Sequence, residues 1–268
     1  MFKSTFARVC AATGAVAMLV VVSVRADHSW GPPYHWARTA NPFTLKVGDN
    51  LSEAWDAYLS VAASDWTASS VLNLQIVAGS SNRNCRPTAG RIEVCNGKYG
   101  NNGWLGIAQI WITDGEHITQ AITKVNDTYY NTPTYNTPAW RQFVMCQEIG
   151  HDFGLDHQDE NFNNANLGSC MDYTNNPGTN QHPNNHDYLQ LEDIYRHLDS
   201  TTTVGASTLP NTMPPAMGQI DFDTPGQWGR LVSRSRNGRH ETYELDFGRG
   251  NKVVTHVIWA DPENDSRR

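Results

Sequence analysis

Gln147-Glu148-Ile149-Gly150-His151-Asp152-Phe153-Gly154-Leu155-Asp156-His157-Gln158-Asp159 is the stretch from which the rest of this chain is read. Positions 147 and 151 are one helical turn apart, so in a helix their side chains lean the same way. That spacing suits two ligands on one metal ion. Glu148 projects beside such an ion rather than binding it. Gly154 can take the left-handed conformation that turns a chain out of a helix, and the turn brings His157 round as a third ligand. Zinc held by three protein groups keeps a fourth position for water, and it lowers the pKa of that water towards about 7. A neighbouring carboxylate such as Glu148 then serves as general base and acid.

Fourteen residues after His157 comes Met171, within Ser169-Cys170-Met171-Asp172-Tyr173. Together the two stretches resemble the metzincin clan of zinc endopeptidases, whose long motif H-E-x-x-H-x-x-G-x-x-H is present with Gln147 in the first position. Gametolysin-type algal cell-wall proteases are similar in carrying glutamine there. The resemblance covers roughly residues 30 to 200. It implies a metal set of Gln147, His151 and His157, with Zn2+ as cofactor and Glu148 and Tyr173 as the catalytic pair. Met171 would form a floor beneath the ion, and the substrate would be protein or peptide. It also implies an α/β (α+β) fold: a twisted mixed sheet above a cleft, an active-site helix and a C-terminal helix. The strand over residues 103 to 113 would border the cleft and pair with extended substrate.

Gln147 is the departure from that pattern. An amide oxygen is a weaker, harder ligand than imidazole. Three outcomes stay open: Gln147 ligates, another group such as Asp159 replaces it, or the site holds metal poorly. In the last case the chain would be an inactive scaffold that binds peptide by strand addition.

Working outward, Thr137-Pro138 suits the cap and first residue of a helix running to about Phe153. Asp49 to Ser52 can cap a helix to about Ser64, with Trp55, Tyr58, Leu59 and Ala62 at helical spacing. Strands are expected over 34–37, 43–47, 71–77, 91–95, 104–113 and 118–126. Residues 127–138 and 161–185 read as loops, and 186–198 as an amphipathic helix using Leu189, Ile194 and Leu198. The cluster Asp152, Asp156, Asp159 and Glu160 reads as a solvated helix end. His182, His186 and His197 match no metal-ligand spacing and read as ordinary histidines, while His28 and His35, near the mature N-terminus, carry little weight as groups approaching the cleft. The scattered tryptophans suggest core packing.

Residues 1–26 read as an export signal: Lys3 and Arg8, an apolar run, then Val24-Arg25-Ala26. The run is short for a bilayer span, and no later segment is long and apolar enough to cross. Secretion without stable membrane association is therefore expected. The formal charge is −7, and losing the signal makes the chain more acidic. That argues against nucleic acid as partner. Cys85, Cys95, Cys146 and Cys170 remain, an even number with three connectivities. The expected pairs are Cys85–Cys95 and Cys146–Cys170. Residues 27–200 suffice for one core. Residues 201–218 have linker composition, and 219–268 read as a small β-rich module or an extension packed on the main domain. Oligomeric state is not legible.

Overall fold

The computed structural model describes residues 28–80, 84–218 and 222–261. The expected export signal, 1–26, lies outside them. The fold is mixed α/β, built on a nine-stranded sheet. Strands β1 (His35–Trp36), β2 (Phe43–Asn50), β3 (Leu72–Ala78), β4 (Arg91–Gly97), β5 (Trp104–Thr113) and β6 (His117–Asn126) come from the first half of the chain. They are followed by helices α2 (Asp127–Tyr130), α3 (Pro138–His151) and α4 (Asn185–Ile194), and then by β7 (Arg230–Arg234), β8 (His240–Gly248) and β9 (Asn251–Trp259). Helix α1 (Glu53–Thr67) connects β2 to β3. The strand order is β3-β2-β4-β6-β5-β9-β8-β7, with β1 also on β6. Strands β1, β2, β3, β4 and β6 pair in parallel, while β5 runs antiparallel to both β6 and β9.

One face of the sheet carries α1, α3 and α4 over a core containing Trp36, Trp55, Trp66, Phe143, Ile149, Met171 and Ile194. The other face holds Trp104, Trp111, Met217, Phe222 and Trp228 around the Cys85–Cys95 bridge. All but one of the tryptophans are buried, and Trp259 packs half-buried against the second core. All ten residues of β5 are buried. Its near-continuous apolar sequence, Trp-Leu-Gly-Ile-Ala-Gln-Ile-Trp-Ile-Thr, is what burial on both faces demands.

Several expectations need correction. The loop over 127–138 contains the one-turn helix α2, started by Asn126, whose side chain accepts from Thr128 N. Helix α4 ends at Ile194. Arg38 donates to Tyr195 O at 2.7 Å and to His197 O, taking up carbonyls just past the helix that a continued helix would bond internally. Leu191 and Ile194 are its buried apolar positions, alongside buried Asp187 and Gln190, while Leu189 and Leu198 face solvent. The segment with linker composition lies along the body: Thr203 N and Gly205 N donate to Ala37 O and Gly90 O, and Met217 is buried. Strands β7 to β9 continue the main sheet through β9 on β5. The strand expected to border an open cleft therefore has both edges paired. No helix among the described residues is long and apolar enough to cross a membrane.

Candidate metal centre

Helix α3 begins as its sequence suggests, with Thr137 Oγ1 accepting from Trp140 N at 3.2 Å and proline next in line. The helix is buried from Trp140 to His151. Trp66 Nε1 donates to Cys146 O at 3.1 Å, and the Cys146–Cys170 disulfide ties the helix to the Met171 segment. Gly154 has φ +90°, and a Cβ there would lie 2.1 Å from Tyr34 O. Only glycine fits both the left-handed backbone and that close approach. The chain turns back, and His151 and His157 meet with Nε2 atoms 3.1 Å apart.

The protons decide what that contact means. His151 Nδ1 lies 2.8 Å from Leu155 O, and a carbonyl can only accept. The Nδ1 atom therefore carries hydrogen, and the Nε2 lone pair faces His157. His157 Nδ1 is 3.2 Å from Asp156 Oδ1, off hydrogen-bonding alignment. Burial holds both imidazoles well below their usual pKa, with His256 adding to the effect. Two neutral rings this close could share a hydrogen bond or together offer donors to a cation.

Gln147, one turn earlier, donates from Nε2 to Cys170 O at 2.7 Å. Its Oε1 atom is buried without a hydrogen-bond partner. A buried orphan acceptor on the ligand-bearing face of the helix suits a metal. Met171 is fully buried, and its Sδ lies 2.7 Å from where a Cβ on Gly150 would stand. Glycine at that position is what lets the methionine pass close under the helix.

Glu148 is fully buried, and burial pushes its carboxyl well above the usual range. Gly106 of β5 makes room for it: a Cβ there would stand 2.9 Å from Glu148 Oε1. Its Oε2 atom lies 3.0 Å from Nδ1 of His256, a residue absent from the sequence-derived set. His256 sits on β9 opposite Ala108 of β5. His151, His157 and His256 each offer a ring nitrogen, and these atoms all lie within 4.8 Å of one another, so the trio could hold a metal ion. Burial lowers the His256 pKa to about 3, which keeps it in the neutral, ligating form.

Tyr173 stacks on His240 of β8, with ring centroids 3.9 Å apart, and packs against His157 at 4.3 Å. Trp30 stacks on His151 at 4.7 Å and an interplanar angle of 7°. With these covers in place, Gln147, Glu148, His151, His157 and His256 are all buried. Sequence reasoning missed His256, His240 and Trp30. A usable signal for His256 was a lone histidine two residues from both Val254 and Ile258, on the core-facing side of an apolar strand.

The acidic cluster is not one solvated patch. Asp152 is fully buried and accepts from Thr123 Oγ1 at 2.8 Å. Asp159 accepts from Asn161 N at 2.7 Å within its own loop, and it is outside the group formed by the three histidines. Asp156 and Glu160 could instead share a cation with His157. Comparison with models of known protein families and with curated proteins found no match.

Proposed function

We propose that this chain is an exported, zinc-dependent endopeptidase of metzincin type, held latent by its own C-terminal hairpin. The observation that carries the proposal is the position of Glu148, buried between α3 and β5 beside the converging His151 and His157. Gln147, through its orphan Oε1, His151 and His157 would hold the ion. A bound zinc supplies a Lewis acid for the scissile carbonyl and acidifies water. Glu148 accepts the proton of the attacking water as its oxygen bonds to the carbonyl carbon. It then delivers that proton to the amine nitrogen as the C–N bond breaks. The Tyr173 phenol donates to the oxygen that gains negative charge. Export fits the two disulfides, which persist in oxidising compartments.

The hairpin explains why such a site is shut. An extended peptide recognised by strand addition would lie along the free edge of β5. In this structure β9 lies there, antiparallel over Trp104 to Ile112. His256 Nδ1 lies 3.0 Å from Glu148 Oε2, and with the hairpin docked His256 would supply the fourth ligand that a catalytic zinc leaves to water. Four protein ligands make a closed site; three make a catalytic one. An inactive peptide-binding scaffold would face the same covered edge, so cleavage with the hairpin released separates the two. Zinc-loaded chain is assayed on casein before and after the hairpin is destabilised. Cleavage that appears on release and disappears in Glu148→Gln supports the proposal. Zinc-loaded, released chain that cleaves nothing contradicts it.

A further inference from the structure

A second set of histidines lies away from the candidate centre. His35 on β1 and His117, the first residue of β6, are direct register partners in the parallel pair. His197 and Asp199 follow α4. The four side chains converge. Asp199 Oδ1 is 3.4 Å from His35 Nε2, 3.4 Å from His117 Nε2 and 3.7 Å from His197 Nε2. The His35 and His197 Nε2 atoms are 3.3 Å apart. Around a tetrahedral ion with bonds of about 2.0–2.1 Å, ligand atoms stand about 3.3–3.4 Å from each other. His35, His117 and Asp199 already offer ligand atoms that all lie within 4.8 Å of one another. The His35–Asp199, His117–Asp199 and His35–His197 separations match that edge length, while the half-exposed His197 stands slightly farther from Asp199, at 3.7 Å.

The surrounding hydrogen bonds orient the donors. His35 Nδ1 is 3.2 Å from Pro33 O and its Nε2 is 3.4 Å from Asp199 Oδ1; with the proton of the neutral ring on Nδ1, the Nε2 lone pair faces the cluster. Asp199 Oδ2 is occupied by Arg38 N at 3.0 Å and Arg38 Nη1 at 2.9 Å, which leaves Oδ1 turned inward. Outer partners that fix ring tautomer and carboxylate orientation in this way are the usual support of a metal ligand. The bland alternative is a set of histidine–carboxylate pairs. It leaves the His35 lone pair opposed to an anionic oxygen in a buried place, with His197 Nε2 aimed at the same point. One shared proton relieves one of these contacts, whereas one divalent cation relieves all of them.

We propose that His35, His117, His197 and Asp199 form a second metal site, of structural type, for zinc or a similar borderline divalent ion. Three imidazoles and one carboxylate are the donors such ions take. Four protein ligands close the site to water, so its role is to clamp rather than to catalyse. It joins β1, the start of β6 and the segment leaving α4. Trp36, next to His35, donates from Nε1 to Asp152 O at 2.9 Å, just beyond the last residue of α3. The clamp thus holds the chain that seats the end of that helix. The sequence concealed the site because its ligands come from three distant segments, of which only His197-x-Asp199 is local.

The test is a count of bound zinc by native mass spectrometry on the full chain. It compares wild type with His197→Ala, His117→Ala and, separately, His151→Ala, each checked for folding by circular dichroism. Wild type is expected to hold two ions. His197→Ala and His117→Ala should each retain one, with at least about 100-fold weaker binding of the other, and lose most of the zinc-induced rise in Tm. His151→Ala should keep the ion at the second site. If wild type holds one ion that survives His151→Ala and is lost in His117→Ala, the peptidase reading fails and this site stands. A zinc count unchanged by both His117→Ala and His197→Ala overturns the second site. Zinc-edge anomalous scattering from wild type, which needs no variant, overturns it equally if no peak lies among the four side chains.

Discussion

On the proposed reading, Val254→Asp should release the C-terminal hairpin and switch on peptidase activity. Val254 is 3 % exposed, belongs to the core facing α3, and lies opposite Ile110 of β5 and Glu244 of β8. The substitution forfeits roughly 1.5–2 kcal/mol of apolar burial. It also places a carboxylate in that core and sets it across from Glu244, a like charge in a directly paired position. The combined penalty on the docked hairpin is at least about 4 kcal/mol, close to three orders of magnitude in its closed-to-open ratio. Strand β5 stays paired to β6 on its other edge, and both disulfides lie outside the hairpin. The body therefore has the means to survive the change. The assay pairs casein cleavage in excess zinc with hydrogen exchange of β5 and β9 amides. Faster exchange along β9 together with new cleavage is expected. Faster β9 exchange, bound zinc and no cleavage would refute the reasoning.

Four further outcomes follow from named contacts. In the released chain, Glu148→Gln should lower kcat by about 10² to 10⁴ while zinc content is unchanged, because the carboxylate moves protons and does not ligate. Gln147→His replaces an amide oxygen with imidazole and should tighten zinc, read as a lower Kd in competition with a chelator. Gly154→Ala forces a side chain into φ +90° and against Tyr34 O; a loss of at least about 2 kcal/mol should appear as a Tm drop of roughly 5 °C. Burial raises the Asp187 carboxyl pKa to about 6, although Ser169 and the Asn184 amide favour its charged form. A carboxyl with a raised folded-state pKa binds more protons folded than unfolded, so its contribution falls as pH rises from about 4 to 6. The stability difference between wild type and Asp187→Asn, from urea unfolding, should shift against wild type by about 2–3 kcal/mol across that window.

What was legible in the sequence was local. Thr137-Pro138, the one-turn spacing of Gln147 and His151, and the Gly154 turn each depend on residues a few positions apart. They reappear as a capped helix, a shared face and a reversed chain. The two disulfides close short spans and could be anticipated for the same reason. What escaped was set by distant parts of the chain. His256 reaches Glu148 from 108 positions away, and nothing in Asn251–Trp259 says which strand it will join. The end of α4 was missed because Arg38, far upstream, takes the carbonyls of Tyr195 and His197, where the chain leaves the helix. Asp152 read as solvated because charge suggests exposure, yet it caps the end of α3 where the helix meets Thr123. The exposed Leu198 shows the converse, an apolar residue beyond the helix that was expected to bury it.

The central claim is that His151 and His157, with Gln147 beside them, grip one divalent ion next to the Glu148 carboxylate. An anomalous difference map at the zinc edge, from a crystal of zinc-loaded full-length chain, tests it most directly. A peak within about 2.0–2.2 Å of both Nε2 atoms and of Gln147 Oε1 is the expected result. A map with no density between the two imidazoles in excess zinc would contradict it.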